Sequence, residues 1–434
     1  MSGPKEFADA RSLWRSTAEP GPALPMLETD LSTEVVIVGG GYSGLSAANA
    51  LRQRGIEPVV LEARTVGWGA SGRNGGVVSG KYRVPFPAMA KTYGLEAARH
   101  LHGIAHESLD FVEEIIADLG IPHAQFERTG NLRCAHTERA LGALIAEADW
   151  LRSELKDDSC RVLSRAELAQ ELGSRAFVGG VLNRLAGTIH PLNYARGMAA
   201  GLAARKVPIF ENSPVTRILR EPAGVVVVTP GARVRARQVL IATDAYSDST
   251  AATGQVSRSI IPFRSAIIAT ERMPAHLQAK LLTARRGYSE TRRMMKWFRK
   301  VDGRFVFGGR GAFGREDTAS SFDALKRAMT TLFPELEGLA IDFQWSGLVG
   351  MTLNQLPHVG RIDDRTCVSF GYNGVGIAMA TLLGRYAGRL MAGESPQLAL
   401  FDASRQKSVP FRSLRAPGVR MVAGWYQMLD ALGR

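Results

Sequence analysis

The sequence predicts an α/β fold with a parallel sheet, and two strands with the turn between them carry that prediction. Val35–Val38 is a short run of β-branched residues, as in buried parallel strands. A glycine-rich turn follows it, and a second strand at Pro58–Leu61 ends in the acid Glu62. A helix from Tyr42 to Arg54 fits between the strands, with Gly55 where a glycine commonly ends a helix.

The turn has the G-x-G-x-x-G spacing of a dinucleotide-binding site. Gly39 permits the tight turn, Gly41 lets a pyrophosphate approach the backbone, and Gly44 lets the helix lie close to the strand. N–H groups at the helix start then face the phosphates. Glu62 lies at the expected spacing of roughly 20 residues, where it accepts hydrogen bonds from the adenosine ribose. The pattern predicts a bound dinucleotide.

Length and composition indicate an ordinary globular protein with two intertwined domains. The 434 residues are too many for one compact core, and 45% of them are hydrophobic. No apolar run approaches the roughly 18 residues of a membrane helix, and the first residues lack the apolar segment of a secretory signal. Cys134, Cys160 and Cys367 form no C-x-x-C pair. We therefore expect a cytoplasmic protein without a transmembrane segment.

The formal net charge of +13 indicates one of three things: steering of anionic substrates, contact with nucleic acid or anionic lipid, or a basic surface without a role. The basic residues are spread along the chain, and no RNA-binding module is visible, so nucleic acid is not the expected partner. The densest cluster surrounds Trp297 and Phe298 and consists of Arg292, Arg293, Lys296, Arg299 and Lys300.

A second glycine-rich stretch, Gly67–Gly80, is too dense in glycine for a surface loop alone. Glycines here let the backbone pass close to a flat ring system or a pyrophosphate. Ser71, Arg73 and Asn74 can add polar contacts, and Gly75 belongs to the same predicted cofactor contact.

Helices are predicted at 94–119, 137–155 and 164–173. His102 and His106 lie four residues apart on the first of these helices, which is also a metal-ligand spacing. No further cluster of histidine or cysteine completes a set, so no metal is predicted.

Beyond residue 177 the sequence predicts short strands and hairpins, and a mainly antiparallel region at 260–343. One buried strand ends at Thr243, where a dinucleotide contact is expected. A last strand, Thr366–Phe370, is followed by Gly371 and a long helix. The glycine-rich start of this helix can direct N–H groups and a helix dipole at a second part of the cofactor.

Six motifs in this order resemble the D-amino-acid oxidase superfamily of FAD-dependent oxidoreductases: V-I-V-G-G-G-Y-S-G, G-A-S-G-R-N-G-G, I-H-P-L, V-L-I-A-T-D-A-Y, L-P-H-V-G-R and G-Y-N-G-V-G. The resemblance extends from Leu13 to about Asp430, and it favours the branch of bacterial γ-glutamylputrescine oxidases. The motifs are specific to the superfamily and not to a substrate.

The resemblance implies a Rossmann-type FAD-binding domain and an inserted α+β substrate domain on a mostly antiparallel sheet, as in D-amino-acid and glycine oxidases. The FAD domain would comprise residues 1–88, 176–252 and 345–434. The substrate domain would comprise residues 89–175 and 253–344.

The resemblance also implies contacts with the cofactor. The backbone of Val215 would lie at the adenine. The turn with Gly371, Asn373, Gly374 and Gly376 would lie near the flavin pyrimidine, where N–H groups stabilise the negative charge of the reduced ring.

Two positions depart from the relatives. Monomeric sarcosine oxidases tether FAD through a cysteine, and alignment on Pro357 places Met351 there. Because a methionine cannot form that link, we expect non-covalent FAD. Val375 replaces the usual histidine of the last glycine-rich turn, which puts any role of that histidine in doubt.

The chemistry that the resemblance implies is removal of a hydride from the carbon next to an amine nitrogen, with delivery to flavin N5 and hydrolysis of the imine. The candidate catalytic residues are Arg73 beside the flavin ring, Lys296 for activating oxygen, Arg299 for binding a carboxylate, and His358, for which a structural hydrogen bond is the favoured interpretation. The expected substrate is a small amine that carries a carboxylate, such as γ-glutamylputrescine, and the expected acceptor is O2.

Three alternatives remain open. The first is a dehydrogenase of a cyclic or N-methyl amino acid with a quinone or protein acceptor. The second is an FAD enzyme that acts on modified tRNA, and the third is a flavin-binding scaffold without turnover. The sequence does not predict the oligomeric state.

Overall fold

The computed structural model describes residues 11–310 and 319–410, together with residues 418, 421, 424, 425 and 428. Residues 1–10 and most of residues 411–434, which the prediction assigns to the FAD domain, lie outside the described residues. Residues 311–318 of the predicted substrate domain also lie outside them.

The helices of the described part are, in chain order, α1 (Leu13–Thr17), α2 (Tyr42–Arg52), α3 (Phe86–Tyr93), α4 (Leu95–Leu119), α5 (Glu138–Leu155), α6 (Arg165–Leu172), α7 (Pro191–Ala204), α8 (Gly254–Ser257), α9 (Ala275–Lys280), α10 (Ala319–Leu332) and α11 (Gly376–Met391).

The strands of the described part are, in chain order, β1 (Leu31–Val38), β2 (Pro58–Leu61), β3 (Val77–Val78), β4 (Asn131–Ala135), β5 (Cys160–Leu163), β6 (Gly179–Asn183), β7 (Gly187–Thr188), β8 (Ile209–Phe210), β9 (Arg217–Glu221), β10 (Gly224–Val228), β11 (Arg233–Ile241), β12 (Ile261–Arg272), β13 (Gly287–Glu290), β14 (Lys296–Val301), β15 (Arg304–Arg310), β16 (Ile341–Met351), β17 (His358–Arg361) and β18 (Thr366–Phe370).

Local sequence signals account for several helix boundaries. The side chain of Thr137 accepts a hydrogen bond from the N–H of Ala140 and caps the start of α5. Ser164 and Glu167 form a capping box at the start of α6. Gly120 ends α4 in the left-handed conformation that glycine adopts without strain. The three predicted helices of this region are therefore confirmed.

The first sheet has a parallel centre in the order β18-β11-β1-β2-β8. Strand β17 pairs antiparallel with β18 at one edge, and the predicted hairpin is present as β10 antiparallel to β11. Every residue of Val35–Val38 and of β2 is buried, as the apolar runs predict for strands covered on both faces.

The second sheet has the order β16-β12-β15-β14-β13-β4-β6-β5. Its pairs are antiparallel except for β13 with β4, which confirms the prediction of a mostly antiparallel sheet. One face carries a cluster of buried aromatic rings in which Phe298 stacks on Tyr288 and Phe307 and meets Phe333 edge to face.

Two strands lie in a different sheet from the one that the predicted domain boundaries assign. Strand β6 belongs to the second sheet, although the boundary at residue 176 assigns it to the FAD domain. Strand β16 also lies entirely in the second sheet, although the boundary at residue 345 divides it. Strand pairing over long sequence distances decides both assignments. The division into two domains otherwise stays a prediction.

Helices α2 and α11 approach each other closely because two glycines of α11 face α2. A Cβ atom on Gly384 would lie 2.3 Å from the carbonyl oxygen of Ser43, and one on Gly388 would lie 2.8 Å from that of Ala47. The hydroxyl of Ser46 donates to the carbonyl oxygen of Thr381 at 2.6 Å across the same contact. The start of α2 is therefore held from behind by α11.

No helix among the described residues is long and apolar enough to cross a membrane.

The helix contact yields a prediction with a matched control. Gly384→Ala should destabilise the protein by about 1–3 kcal/mol, since the added methyl group overlaps a carbonyl oxygen that belongs to backbone. Gly142→Ala, at an exposed position of α5 with open space around it, should be neutral or stabilise by up to about 1 kcal/mol. Urea unfolding of both variants measures the difference, and equal stability of the two would contradict the described packing.

Candidate functional site

The two sheets share one large cavity of about 1060 Å³. At one end, its wall comes from the turns at the carboxyl ends of β1, β2 and β11, including Gly41, Glu62 and Thr243. At the other end, the wall comes from the second sheet, including Tyr288 and Trp297. Ligands of open α/β sheets bind at the carboxyl ends of the parallel strands, and the first end has that position.

The three glycines of the first turn lie where a side chain would have little space, as the G-x-G-x-x-G pattern predicts. Gly39 has φ of +111°, and a Cβ there would lie 2.9 Å from the carbonyl oxygen of Ala242. A Cβ on Gly44 would lie 2.0 Å from the carbonyl oxygen of Gly39, so only glycine allows α2 to start so close to β1. Gly39 and Gly41 line the cavity, whereas Gly44 is buried behind it.

The side chain of Glu62 is fixed by backbone N–H groups on both sides. Its Oε2 accepts from the N–H of Gly40 at 2.8 Å, and its Oε1 accepts from the N–H of Arg64 at 2.9 Å. Burial raises the pKa of this carboxyl, while the two hydrogen bonds oppose that rise. The carboxylate lines the same end of the cavity as Val215, so both predicted contacts of the adenosine half lie together.

The glycine-rich loop after β2 lies against the start of α2. The hydroxyl of Ser71 accepts from the N–H of Tyr42 at 3.1 Å. The side-chain Nδ2 of Asn74 donates to the carbonyl oxygen of Ala70 at 3.1 Å. The backbone carbonyl oxygen of Asn74 accepts from Trp14 Nε1 at 2.8 Å. Ser71, Asn74 and Gly75 all line the cavity.

Gly75 is required by a close aromatic contact. A Cβ at this position would lie 2.6 Å from Cζ3 of Trp297, which lies on β14 of the second sheet. The glycine-rich loop therefore passes directly between the two sheets along the cavity wall.

The turn before α11 is held by two polar side chains. Asp244 Oδ1 accepts from the N–H of Gly371 at 2.7 Å, and Asn373 Oδ1 accepts from the N–H of Thr352 at 3.0 Å. Asn373, Gly374 and Gly376 line the cavity, whereas Gly371 is not among the lining residues. The start of α11 carries no side-chain cap, so its first N–H groups can face a ligand.

Arg73 lines the cavity but is itself 6% exposed. Its Nε donates to the carbonyl oxygen of Trp68 at 2.6 Å, and its Nη1 donates to that of Ser346 at 3.2 Å. The guanidinium also lies 4.9 Å from the ring centre of Trp68. These contacts hold the loop against β16.

The structure does not bring Lys296 to the cavity. Side chains alternate between the faces of a strand, and Trp297 is the residue of β14 that points to the cavity. The neighbouring Lys296 lies on the other face, where its Cδ and Nζ lie 2.6 and 3.1 Å from the position of a Cβ on Gly309.

Arg299 is also absent from the cavity wall in the part of the chain that the structure describes. Its Nη1 donates to the carbonyl oxygens of Gly76 at 2.7 Å and Ile189 at 3.1 Å. Burial lowers the pKa of this guanidinium to about 10. Because its hydrogen bonds are to backbone carbonyls and it does not line the cavity, Arg299 is not placed to bind a substrate carboxylate there. Arg299 thus ties the glycine-rich loop to the segment before α7.

His358 lies in β17 at the edge of the first sheet and does not belong to the cavity wall. Its Nε2 lies 3.2 Å from Asn354 Oδ1, and its ring packs at 5.4 Å from that of Phe370. Burial lowers its pKa to about 4, so the ring is neutral at pH 7. The favoured interpretation as a structural side chain agrees with this placement.

The second-sheet end of the cavity contains charged residues that motif reasoning missed: Lys81, Arg83, Arg133, Glu147, Glu290, Arg292 and Arg293. Arg292 and Arg293 stand out in the sequence as part of the densest basic cluster. The buried acid Glu290 ends β13, and the short sequence Gly-Tyr-Ser-Glu of that strand contains no apolar run that would mark it as buried.

Two ion pairs organise this end of the cavity. Glu290 pairs with Arg292, and its other oxygen accepts from the backbone N–H of Lys296 at 3.1 Å. Glu147 pairs with Arg133 at 2.8 Å. Burial lowers the pKa of Lys81 to about 8, and the charge of Arg133 acts in the same direction. Among the described lining residues of this end, five basic side chains stand against two acidic ones.

The residues of the first end fit a dinucleotide. The glycine turn leaves the space that side chains would occupy, and the N-cap residues of α2 and α11 give no side-chain cap, which leaves helix N–H groups for a ligand. The FAD dependent oxidoreductase (DAO) family profile matches residues 34–390 of the chain.

The chain belongs to this family of FAD-dependent oxidoreductases.

Curated relatives cover nearly the whole chain. The chain is 31% identical to the γ-glutamylputrescine oxidoreductase of Escherichia coli over 428 residues, which is 97% of this chain and 98% of the relative. It is 30% identical to the probable oxidoreductase OrdL of Haemophilus influenzae over 413 residues, which is 94% of each chain.

Solved structures have the same fold. The glycine oxidase of Geobacillus kaustophilus superposes with a TM-score of 0.73 at 22% identity, covering 87% of this chain and 100% of the other. The L-proline dehydrogenase of P. horikoshii superposes with a TM-score of 0.71 at 18% identity, covering 88% and 98%. The DAO-family protein therefore has the expected two-sheet architecture and uses FAD.

In the DAO-family site, the residues that would hold FAD come from three turns. The glycine turn of α2 and Glu62 would bind the adenosine diphosphate half of FAD. The loop with Ser71 and Asn74 would lie along the part of FAD that leads from this half to the flavin ring. The start of α11 would face the flavin ring. This assignment of individual contacts stays a prediction.

The first test concerns the glycine turn. Gly41→Val should yield protein without flavin, because the side chain would point at Ser71 Oγ, 3.0 Å from the Cβ position, and into the phosphate path. Gly103→Val, at an exposed position of α4 with open space around it, should keep full flavin content. The ratio of flavin to protein absorbance measures both variants, and a fully yellow Gly41→Val protein would show that the cofactor lies elsewhere.

The second test concerns the predicted non-covalent attachment. Met351 lines the cavity, and no cysteine does so in the described part of the chain. Cys367 lies buried in β18, where burial raises its thiol pKa to about 12. Acid precipitation should therefore release all flavin into the supernatant. Flavin that stays in the pellet after washing, or a peptide with the added flavin mass, would refute the prediction.

Proposed function

We propose that this protein oxidises the C–N bond of a small amine or amino acid that carries a carboxylate, with γ-glutamylputrescine as the first substrate to test. The proposal rests on the family, on the similarity to a γ-glutamylputrescine oxidoreductase, and on the charges of the cavity. Bound FAD supplies the oxidising chemistry by taking a hydride from the carbon next to the amine nitrogen, after which the imine hydrolyses.

The observation that carries the proposal is the charge at the second-sheet end of the cavity. Among the described residues that line this end, basic side chains outnumber acidic ones by five to two, and the two acids, Glu147 and Glu290, pair with Arg133 and Arg292. Such a surplus attracts a carboxylate. The acid and the arginine of each ion pair can also bind a substrate end that carries both an ammonium and a carboxylate. Arginine holds a carboxylate through two parallel hydrogen bonds, which also fixes its orientation.

Hydrophobic side chains complete this end of the cavity. Trp297, Phe263 and Ile267 contribute to the wall and would enclose an aliphatic chain between the charged end and the flavin end. Their role is to exclude water and to hold the reacting carbon in place. The substrate amine must lose its proton before a hydride can leave, so rates should rise with pH.

We propose O2 as the electron acceptor that reoxidises the flavin. A quinone or a protein acceptor is the alternative, and the reoxidation experiment below distinguishes them. A small-molecule partner and a cytoplasmic location belong to the proposal as well.

The decisive experiment is anaerobic mixing of the flavoprotein with a panel of amines, amino acids and 2-hydroxy acids. Bleaching of the flavin by carboxylate-bearing amines is the expected result. Reduction by 2-hydroxy acids alone would overturn the reaction class. Subsequent mixing with O2 or with a quinone identifies the acceptor from the rate of reoxidation.

A variant pair tests the carboxylate preference. Arg293→Gln should raise KM for γ-glutamylputrescine by about one to two decades, the equivalent of about 1.5–3 kcal/mol for a charged hydrogen bond. The same variant should leave KM unchanged for the analogue in which hydrogen replaces the α-carboxylate. Arg327→Gln, the same charge change on an exposed position of α10 outside the cavity wall, serves as control. Equal losses of Arg293→Gln on both substrates would remove Arg293 as a carboxylate partner.

A further inference from the structure

A second cluster of polar side chains lies behind the wall of the large cavity. His102 and His106 lie one turn apart on α4, and Asp157 follows the end of α5. Their three candidate ligand atoms all lie within 4.8 Å of one another. None of the three residues lines the large cavity.

The geometry of the cluster is close to that of a metal site. Asp157 Oδ2 lies 2.8 Å from His102 Nε2 and 3.4 Å from His106 Nε2. The ligand atoms of a tetrahedral zinc ion lie about 3.3 Å apart, since the bonds to nitrogen and oxygen are about 2.0–2.1 Å long. An ion can therefore enter between the three atoms with small side-chain rotations.

The orientation of the carboxylate suits a ligand. Asp157 Oδ1 accepts from the N–H of Ser159 at 2.8 Å, which fixes the orientation of the carboxylate. A fixed second oxygen is the support that metal-binding carboxylates commonly have.

Space for a further ligand lies beside the cluster. A small cavity of about 80 Å³ is lined by all three side chains and also by Glu147 and Cys160. Its volume exceeds the minimum of about 10–15 Å³ that one water molecule requires. A water molecule could therefore occupy the fourth position of an ion held by three protein ligands.

We propose that His102, His106 and Asp157 form a binding site for a divalent transition-metal ion, with zinc as the type that their two nitrogens and one oxygen favour. The site would join α4 to the segment after α5. It would act as a structural clamp, because the ion would lie outside the large cavity. This proposal revises the expectation of no metal, which rested on the lack of a further histidine or cysteine cluster in the sequence to complete the set.

A clamp at this place would support the wall of the substrate end. The ring of Phe86 meets that of His102 edge to face at 5.3 Å. Phe86, Lys81 and Arg133 line both the small cavity and the large one. An ion that fixes His102 would therefore also restrict the motion of this shared wall.

The proposal is tested on the flavin-loaded protein without an affinity tag, after treatment with a chelator. Equilibrium dialysis against Zn²⁺ and Co²⁺ should show saturable binding of one ion per chain, and Zn²⁺ should raise the melting temperature. Asp157→Asn keeps the acceptor for Ser159 but loses the charge, and His106→Gln loses one nitrogen ligand. Each should weaken binding at least about tenfold, since even outer partners of a metal ligand contribute 10–100-fold to affinity.

The control is His100→Gln, which removes another imidazole of α4 that lies outside the cluster. This variant should bind the ion as tightly as the unchanged protein. If the unchanged protein showed no saturable binding of the ion, the proposal would be wrong. This outcome does not depend on whether the variants fold. Equal weakening in His100→Gln and His106→Gln, or undiminished binding in Asp157→Asn, would overturn the proposal as well, and the three residues would then form a hydrogen-bonded cluster only.

Discussion

The cavity depends on one close contact, in which the start of α2 lies directly on the end of β1. The Cβ position of Gly44 is 2.0 Å from the carbonyl oxygen of Gly39, so this contact exists only with glycine. Gly384 of α11 repeats the arrangement behind α2. Because α11 also begins at the cavity, the two helix starts are fixed relative to each other by backbone contacts, which deform less easily than side chains.

Short-range patterns in the sequence predict the unit β1-α2-β2, its glycine turn and the parallel sheet, because residues near each other in the chain determine them. They do not predict which face of a strand meets the cavity. The cluster around Trp297 shows the difficulty, since alternation alone allows either Trp297 or Lys296 to face the ligand. Packing of α10 on one face decides it, and that packing involves residues far away in the chain.

The same reason explains the polar groups that sequence reasoning missed. The spacing of His102 and His106 is visible, but Asp157 joins them only because α5 returns the chain to α4. Glu290 becomes part of the cavity's charged end because it pairs with Arg292 and is buried at the end of β13. In both cases an ionisable side chain is buried with a partner, as the cost of burying an isolated charge requires. Pairing of this kind arises from the tertiary fold and leaves no local signal.

The pairing partners of β1 have a consequence for synthesis of the chain. One side of β1 meets β2 soon after it in sequence, whereas the other side meets β11, which begins only at Arg233. Until the ribosome has made that later segment, β1 presents an unpaired, apolar strand edge to the cell. The glycine turn can form early, but the nascent chain remains open to strand-mediated aggregation, and molecular chaperones that cover such edges would act during this interval.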